Sequence, residues 1–203
     1  MPSQRSILIW LGLGLVIGLP IFVAAQSPLL EWRAPIYIAA GFAGIISMAL
    51  MLIQPLLAGG YLPGLPPRTG RRVHAVTGAA LVCAVLLHVG GLWVTSPPDV
   101  IDALAFRAPA AFSYLGVIAM WAVIGAACLA ALRRKVAPKR WRLGHSICVT
   151  VAVLTGVGHA WLIDGTMGFM TKAMICALAV AATVKVLSDL RVWRLLPNAR
   201  KHR

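Results

Sequence analysis

The chain has 203 residues, of which 60% are apolar and 12% are charged, and its mean hydropathy is +0.87. A soluble domain carries about a quarter charged residues, so this composition excludes a soluble enzyme, a disulfide-stapled secreted domain and a disordered chain. The 19 Lys and Arg against 5 Asp and Glu give a formal net charge of +14. These basic residues form short clusters between apolar runs, which is typical of charges that orient a membrane protein, so we expect no nucleic-acid partner.

Six apolar segments are long enough to cross a bilayer, which takes about 20 helical residues. In chain order we predict spans at about 7–25, 36–57, 74–95, 110–132, 144–163 and 171–190. The long uncharged run 34–67 holds one helix, because Pro55, Gly59, Gly60 and further prolines break its second half. The sequence therefore predicts an all-α integral membrane protein, folded as a single six-helix bundle over residues 1–203.

The basic residues are divided unequally between the two sides of the predicted spans. Fifteen fall to the side that holds both termini, and two or three fall to the other side. The positive-inside rule then predicts that both termini are cytoplasmic, in a multi-pass protein of a bacterial inner membrane. The first span also resembles a signal peptide ending at Val23-Ala24-Ala25. We favour a retained helix because its apolar stretch is long, and cleavage would leave the orientation of the other five spans unchanged.

Four of the five histidines lie in two equally spaced pairs, while His202 lies in the basic tail. His74 and His88 are 14 residues apart on the third span, and His145 and His159 are 14 apart on the fifth. Fourteen residues rise about 21 Å and return to within about 40° of the same helix face. The third and fifth spans run in the same direction. We therefore expect His74 level with His145 near the cytoplasmic face, and His88 level with His159 near the outer face.

Facing histidines at each level suit bis-histidine ligation of a low-spin haem b iron, a one-electron carrier. Zinc is a weaker interpretation, because helical zinc sites need ligands one turn apart. Small residues near the histidines would let the flat ring approach the backbone; they are Gly78, Gly144, Gly156 and Gly158. Cationic side chains that precede the first histidine of each pair would either pair with haem propionates or serve only as orienting charges; they are Arg71, Arg72, Lys139, Arg140 and Arg142.

Segments 71–88 and 142–161, with Arg71-Arg72-Val73-His74 and Arg142-Leu143-Gly144-His145 at their starts, resemble the haem-binding helices of the ferric reductase-like transmembrane domain family. That family includes ferric-chelate reductases, the membrane part of NADPH oxidases and the haem subunit of the bacterial methionine sulfoxide reductase system. The resemblance implies six helices with haems between the third and fifth. It makes His74 and His145 ligands of the inner haem, and His88 and His159 ligands of the outer haem. Two haems b are expected. One is the alternative, because the sulfoxide-reductase subunit normally lacks a histidine at the position of His74.

The function that this resemblance implies is transmembrane electron transfer. Ferric reductases and NADPH oxidases carry a cytoplasmic FAD and NADPH domain, and we find no such module in this sequence. We therefore expect a separate donor, which is a flavin, a flavoprotein or a quinone, and an acceptor outside, which is a ferric chelate or a periplasmic redox partner. Whether the chain is itself an enzyme stays open. The alternative is a non-redox transporter or structural subunit that uses the histidines for proton relay or packing, although no acidic residue lies in the first five predicted spans.

Overall fold

The computed structural model describes residues 3–192, and within that range the chain is all-α. Seven α-helices follow one another as α1 (Gln4–Ala25), α2 (Pro35–Ala58), α3 (Pro67–Thr95), α4 (Pro97–Leu104), α5 (Ala111–Ala131), α6 (Pro138–Leu162) and α7 (Phe169–Asp189), with one 3₁₀ turn at Pro28–Leu30. All of them except α4 are long and apolar enough to cross a bilayer. The chain is therefore a multi-pass helical membrane protein.

Each of the six predicted spans corresponds to a helix, but two helices begin more than one turn earlier than predicted. α3 begins at Pro67 rather than near residue 74, and α6 begins at Pro138 rather than near residue 144. Proline is favoured in the first turn of a helix, where its missing N–H has no partner to lose. The Arg and Lys residues that follow are good helix formers, so the helices extend beyond the apolar stretch. As a result His74 and His145 each lie about two turns inside a helix.

α2 ends where the glycines were expected to break it. Gly60 adopts a left-handed backbone with φ of +66°, which glycine tolerates without strain. The N–H of Tyr61 bonds to the carbonyl of Leu56, and that of Gly60 to the carbonyl of Leu57. This pair of bonds is a Schellman motif and satisfies carbonyls at the helix end.

The short helix α4 was not predicted, because eight residues are too few to produce a span or a clear periodicity. Two prolines start the helix, and the carboxylate of Asp99 lies in its first turn, where the helix dipole favours negative charge. Asp99 also accepts a hydrogen bond from the hydroxyl of Ser96. Val100 is buried, so α4 covers one end of the bundle next to α3 and α5.

Two helix hairpins form the body of the bundle. α2 packs along α3 and α5 packs along α6, while α7 lies against both α2 and α6, and α1 lies outermost against α7 and α2. By contrast, α3 and α6 have almost no close backbone approach to each other. One buried cluster joins α2, α6 and α7 and includes Met48, Met51, Leu52, Val153 and Ile175. A second joins α3, α5 and α6 and consists of Leu81, Ala122, Val123 and Ala152.

Candidate functional site

The structure brings the four helical histidines into two pairs between α3 and α6. The ring centroids of His88 and His159 are 6.2 Å apart, and their planes are inclined by 78°. At the other level, His74 and His145 each lie seven residues after the first residue of their helix. α3 and α6 therefore run in the same direction, and the 14 residues between successive histidines separate the two levels by about 21 Å.

Both rings of the His88–His159 pair are held by a backbone carbonyl of the helix behind them. His88 Nδ1 donates to the carbonyl of Ala40 on α2 at 2.8 Å, and His159 Nδ1 donates to the carbonyl of Phe112 on α5 at 2.8 Å. A carbonyl oxygen only accepts, so in the neutral ring the proton is on Nδ1 and the lone pair is on Nε2. This is the tautomer in which histidine binds a metal through Nε2.

A glycine one turn beyond each carbonyl makes room for the ring. A Cβ added at Gly44 would lie 3.0 Å from His88 Nδ1, and one added at Gly116 would lie 2.7 Å from His159 Nδ1. A methyl group at Gly116 would force the ring to move, and one at Gly44 would press on it. Sequence reasoning missed both glycines, because they lie on α2 and α5 and their relation to the histidines depends on how the helices pair.

The glycines that the sequence singled out lie at helix interfaces. Each lies against a side chain of a neighbouring helix. An added Cβ would meet Gln54 from Gly78, Leu129 from Gly144, Met51 from Gly156 and Leu115 from Gly158. Such contacts are typical of small residues at membrane helix interfaces.

The His74–His145 pair is held unequally. His145 Nδ1 donates to the carbonyl of Ala126 at 3.1 Å. Its ring also stacks on Trp141, with centroids 5.6 Å apart and planes inclined by 16°. The Trp141 indole is itself fixed, since its N–H donates to the carbonyl of Leu129 at 2.9 Å. His74 Nδ1 is buried and has no hydrogen-bond partner among residues 3–192.

The two hairpins repeat one arrangement of supporting groups. The supporting positions are Ala40, Gly44 and Gln54 on α2, and Phe112, Gly116 and Ala126 on α5, each 72 residues later. The histidines of α6 follow those of α3 by 71 residues. By this correspondence the Gln54 carbonyl is the expected acceptor for His74. That hydrogen bond is not formed, because His74 Nδ1 has no partner within residues 3–192.

The arginines predicted near the first histidines lie on the surface at one end of the bundle. Arg71, Arg72, Arg140 and Arg142 are all exposed, and none forms an ion pair within the described part of the chain. Arg142 donates to the carbonyl of Leu190, just past the end of α7, at 3.3 Å. Arg71 lines a small cavity beside Gly70, under the connection between α2 and α3.

An apolar layer separates the two histidine levels. Leu81 lies seven residues from both His74 and His88, and Ala152 lies seven residues from both His145 and His159. Both are buried in the cluster shared by α3, α5 and α6. Over residues 3–192 no group of three or more His, Cys, Asp or Glu side chains converges. The described site therefore consists of two histidine pairs with an apolar barrier between them.

No protein-family model, no curated protein and no solved structure matches this chain.

Proposed function

We propose that this protein is a di-haem b cytochrome that carries single electrons across a membrane, with its haems between α3 and α6. The observation that carries the proposal is the His88–His159 pair, whose ring centroids are 6.2 Å apart. A metal–imidazole bond is about 2 Å long, and each ring centre lies beyond the bound nitrogen. One iron between two such rings separates their centres by about 6 Å. The observed spacing therefore fits a site in which His88 and His159 would hold one haem iron between them.

The hydrogen bonds of the rings support the same role. In metal sites a ligand histidine almost always donates its other ring N–H to a carbonyl, a carboxylate or water, which orients the ring and raises its basicity. Three of the four histidines do so here, to Ala40, Ala126 and Phe112. Histidines used for packing would instead employ both nitrogens in hydrogen bonds. No Nε2 of the four has a hydrogen bond within the described residues.

The helix arrangement also supports a large flat group between α3 and α6. Each helix packs against its own hairpin partner, and the two have almost no close backbone approach to each other. Bound haem would supply one-electron redox chemistry. The chain would supply position, ligation and the apolar layer around Leu81 and Ala152, which keeps water from joining the two levels.

We further propose that both termini are cytoplasmic, on the basis of the basic residues at that side. The His74–His145 pair then forms the inner site, and the His88–His159 pair forms the outer site. Electrons would pass from a flavin, a flavoprotein or a quinone to the inner site, then to the outer site, and finally to a ferric chelate or a periplasmic redox partner. This is the route of the ferric reductase-like family that the two histidine segments resemble.

The test is a haem count on the full chain, expressed in cells supplied with haem and purified in detergent. The pyridine haemochrome should give two haems b per chain, and the reduced-minus-oxidised spectrum should be that of low-spin haem. The double variant His88→Ala/His159→Ala should retain one haem. His202→Ala, which changes a histidine outside both pairs, should retain two. A wild-type chain without haem would contradict the proposal and favour a transporter or structural subunit.

A further inference from the structure

We propose that His145 is the anchoring ligand of the inner site and that His74 is an exchangeable one. A small neutral ligand, of which carbon monoxide is the probe, can then bind the reduced iron in place of His74. This inference rests on the haem sites proposed above. It adds how firmly each of the two inner histidines is held. The identity of the ligands does not specify this.

His145 is held from two directions. The carbonyl of Ala126 accepts its Nδ1–H at 3.1 Å, and the Trp141 indole lies flat against its face. The indole cannot turn away freely, because its own N–H is bonded to Leu129. A ring with both a hydrogen bond and a stacking partner keeps its orientation when no metal is bound. Ligation of such a ring therefore costs little conformational entropy.

His74 has neither restraint. Its Nδ1 is without a hydrogen bond among residues 3–192, although it is buried. The residue one turn before it is Gly70, where His145 has Trp141, and an added Cβ at Gly70 would meet nothing within 4 Å. The Gln54 side chain does not substitute for its carbonyl: its amide nitrogen donates to Thr77 at 2.8 Å, and His74 Nδ1 has no hydrogen bond to its amide oxygen.

The inner level also differs from the outer level in the size of the residue that follows each supporting carbonyl. At the outer level the residue four positions after each supporting carbonyl is glycine, namely Gly44 and Gly116. At the inner level the equivalent residues are Ala58 and Ala130. The inner positions therefore carry a methyl group where the outer positions carry none, and both alanines are exposed. The hydrogen bonds are 2.8 Å at the outer level and 3.1 Å for His145.

The outer pair provides an internal control. His88 and His159 are both bonded to a carbonyl at 2.8 Å and both lie against a glycine. Removing the outer-shell partner of a metal ligand typically lowers metal affinity about 10- to 100-fold. We therefore expect the two outer ligands to be equally necessary and the two inner ligands to be unequal. In the exchange at His74, the bond from a bound haem iron to Nε2 would break and a bond from iron to the carbon of CO would form, with no electron transferred.

The experiment compares four single variants of the full chain: His74→Ala, His145→Ala, His88→Ala and His159→Ala. Haem per chain is measured by pyridine haemochrome, and the reduced-plus-CO minus reduced spectrum counts accessible irons. His74→Ala should retain two haems, one of which binds CO, and His145→Ala should retain only the outer haem. His88→Ala and His159→Ala should each lose the outer haem to the same extent. The wild-type chain, once reduced, should bind CO at one of its two haems.

The outer haem also reports folding, since a variant that retains its spectrum has a correctly assembled bundle. Equal loss of inner haem in His74→Ala and His145→Ala, or greater loss in His74→Ala, would overturn the inference and leave the two-haem proposal intact. A wild-type chain that holds two haems but binds no CO would also overturn it. A wild-type chain without haem contradicts the proposed function itself, so the two failures are distinguishable.

Discussion

The two histidine pairs are carried by the same two helices, yet their surroundings differ. At the outer level two carbonyls and two glycines form matching half-sites around His88 and His159. At the inner level Trp141 and a carbonyl hold His145, while His74 lacks both kinds of support. Equal spacing of ligands along a helix therefore does not produce equal sites. The neighbouring helices α2 and α5 determine how rigidly each ring is oriented.

The largest expected effect comes from breaking an outer half-site. Gly116→Ala would place a methyl group 2.7 Å from His159 Nδ1, so the ring must move from its carbonyl. We expect the outer haem to bind at least about 10-fold more weakly, as for loss of an outer-shell partner. Haem per chain measures this. Gly44→Ala should have a smaller effect, since the corresponding distance is 3.0 Å.

Gly41→Ala is the matched control on α2, because an added Cβ there would meet nothing within 4 Å. If Gly116→Ala and Gly41→Ala retained the same haem content, the glycine would have no part in orienting the histidine. The similarity of the two outer half-sites would then be incidental.

A change in the apolar layer should affect the two levels equally. Leu81 is 7% exposed and equidistant in sequence from His74 and His88. Leu81→Ala leaves a cavity, and we expect it to lower the free energy of unfolding by about 2 kcal/mol. This value is near the lower end for buried leucines, because lipid itself solvates the apolar side chain. Unfolding in mixed detergent micelles measures this, with Leu87→Ala, which is 68% exposed in the wild-type protein, as the control. A change confined to one haem spectrum would show that the layer does not serve both sites.

Trp141 distinguishes the inner level from the outer one by its stack on His145. Trp141→Ala removes a contact of about 1 kcal/mol, so the inner haem should show an altered electron paramagnetic resonance signal and midpoint potential, with unchanged outer haem. Trp141→Phe preserves an aromatic face but loses the N–H bond to Leu129, and it should restore most of the wild-type signal. Trp121→Ala, at an exposed position on α5, is the control. Identical inner signals in all three variants would contradict a positioning role.

The smallest effect concerns Tyr61, in the connection between α2 and α3 at the end of the bundle nearer His74. Burial, together with the hydrogen bond to Asp189 and the charge of that carboxylate, raises the pKa of Tyr61 to about 12 from its ordinary value of 10.0. The neutral phenol is the favoured form in the folded protein. Its contribution to stability is therefore complete below pH 10.0 and is lost as the pH rises through about 12.

Asp189→Asn removes the negative charge and should lower the pKa of Tyr61 part of the way towards 10.0. Ultraviolet titration of tyrosinate measures the shift, and Tyr61→Phe identifies which transition belongs to this residue. Haem content should be unchanged in both variants. A pKa that stays at about 12 in Asp189→Asn would mean that burial alone is responsible.

The six spans and the four paired histidines could be predicted from the sequence, because hydropathy over about 20 residues and helical periodicity are local properties. The early starts of α3 and α6 were missed because the basic residues that follow Pro67 and Pro138 form helix outside the apolar stretch. Trp141 had a local signal that was available, since it stands one turn before His145 on the same helix.

The contacts of the glycines could not be predicted from the sequence. Gly78 and Gly156 are near the histidines in sequence but face Gln54 and Met51 in the structure, whereas Gly44 and Gly116 are distant in sequence and lie against the rings. Composition and periodicity by themselves determined a six-span helical chain with two histidines on one stripe of each of two helices. Only the tertiary structure decided which carbonyl, glycine or indole supports each ring, because those groups belong to other turns and other helices and are brought together by packing.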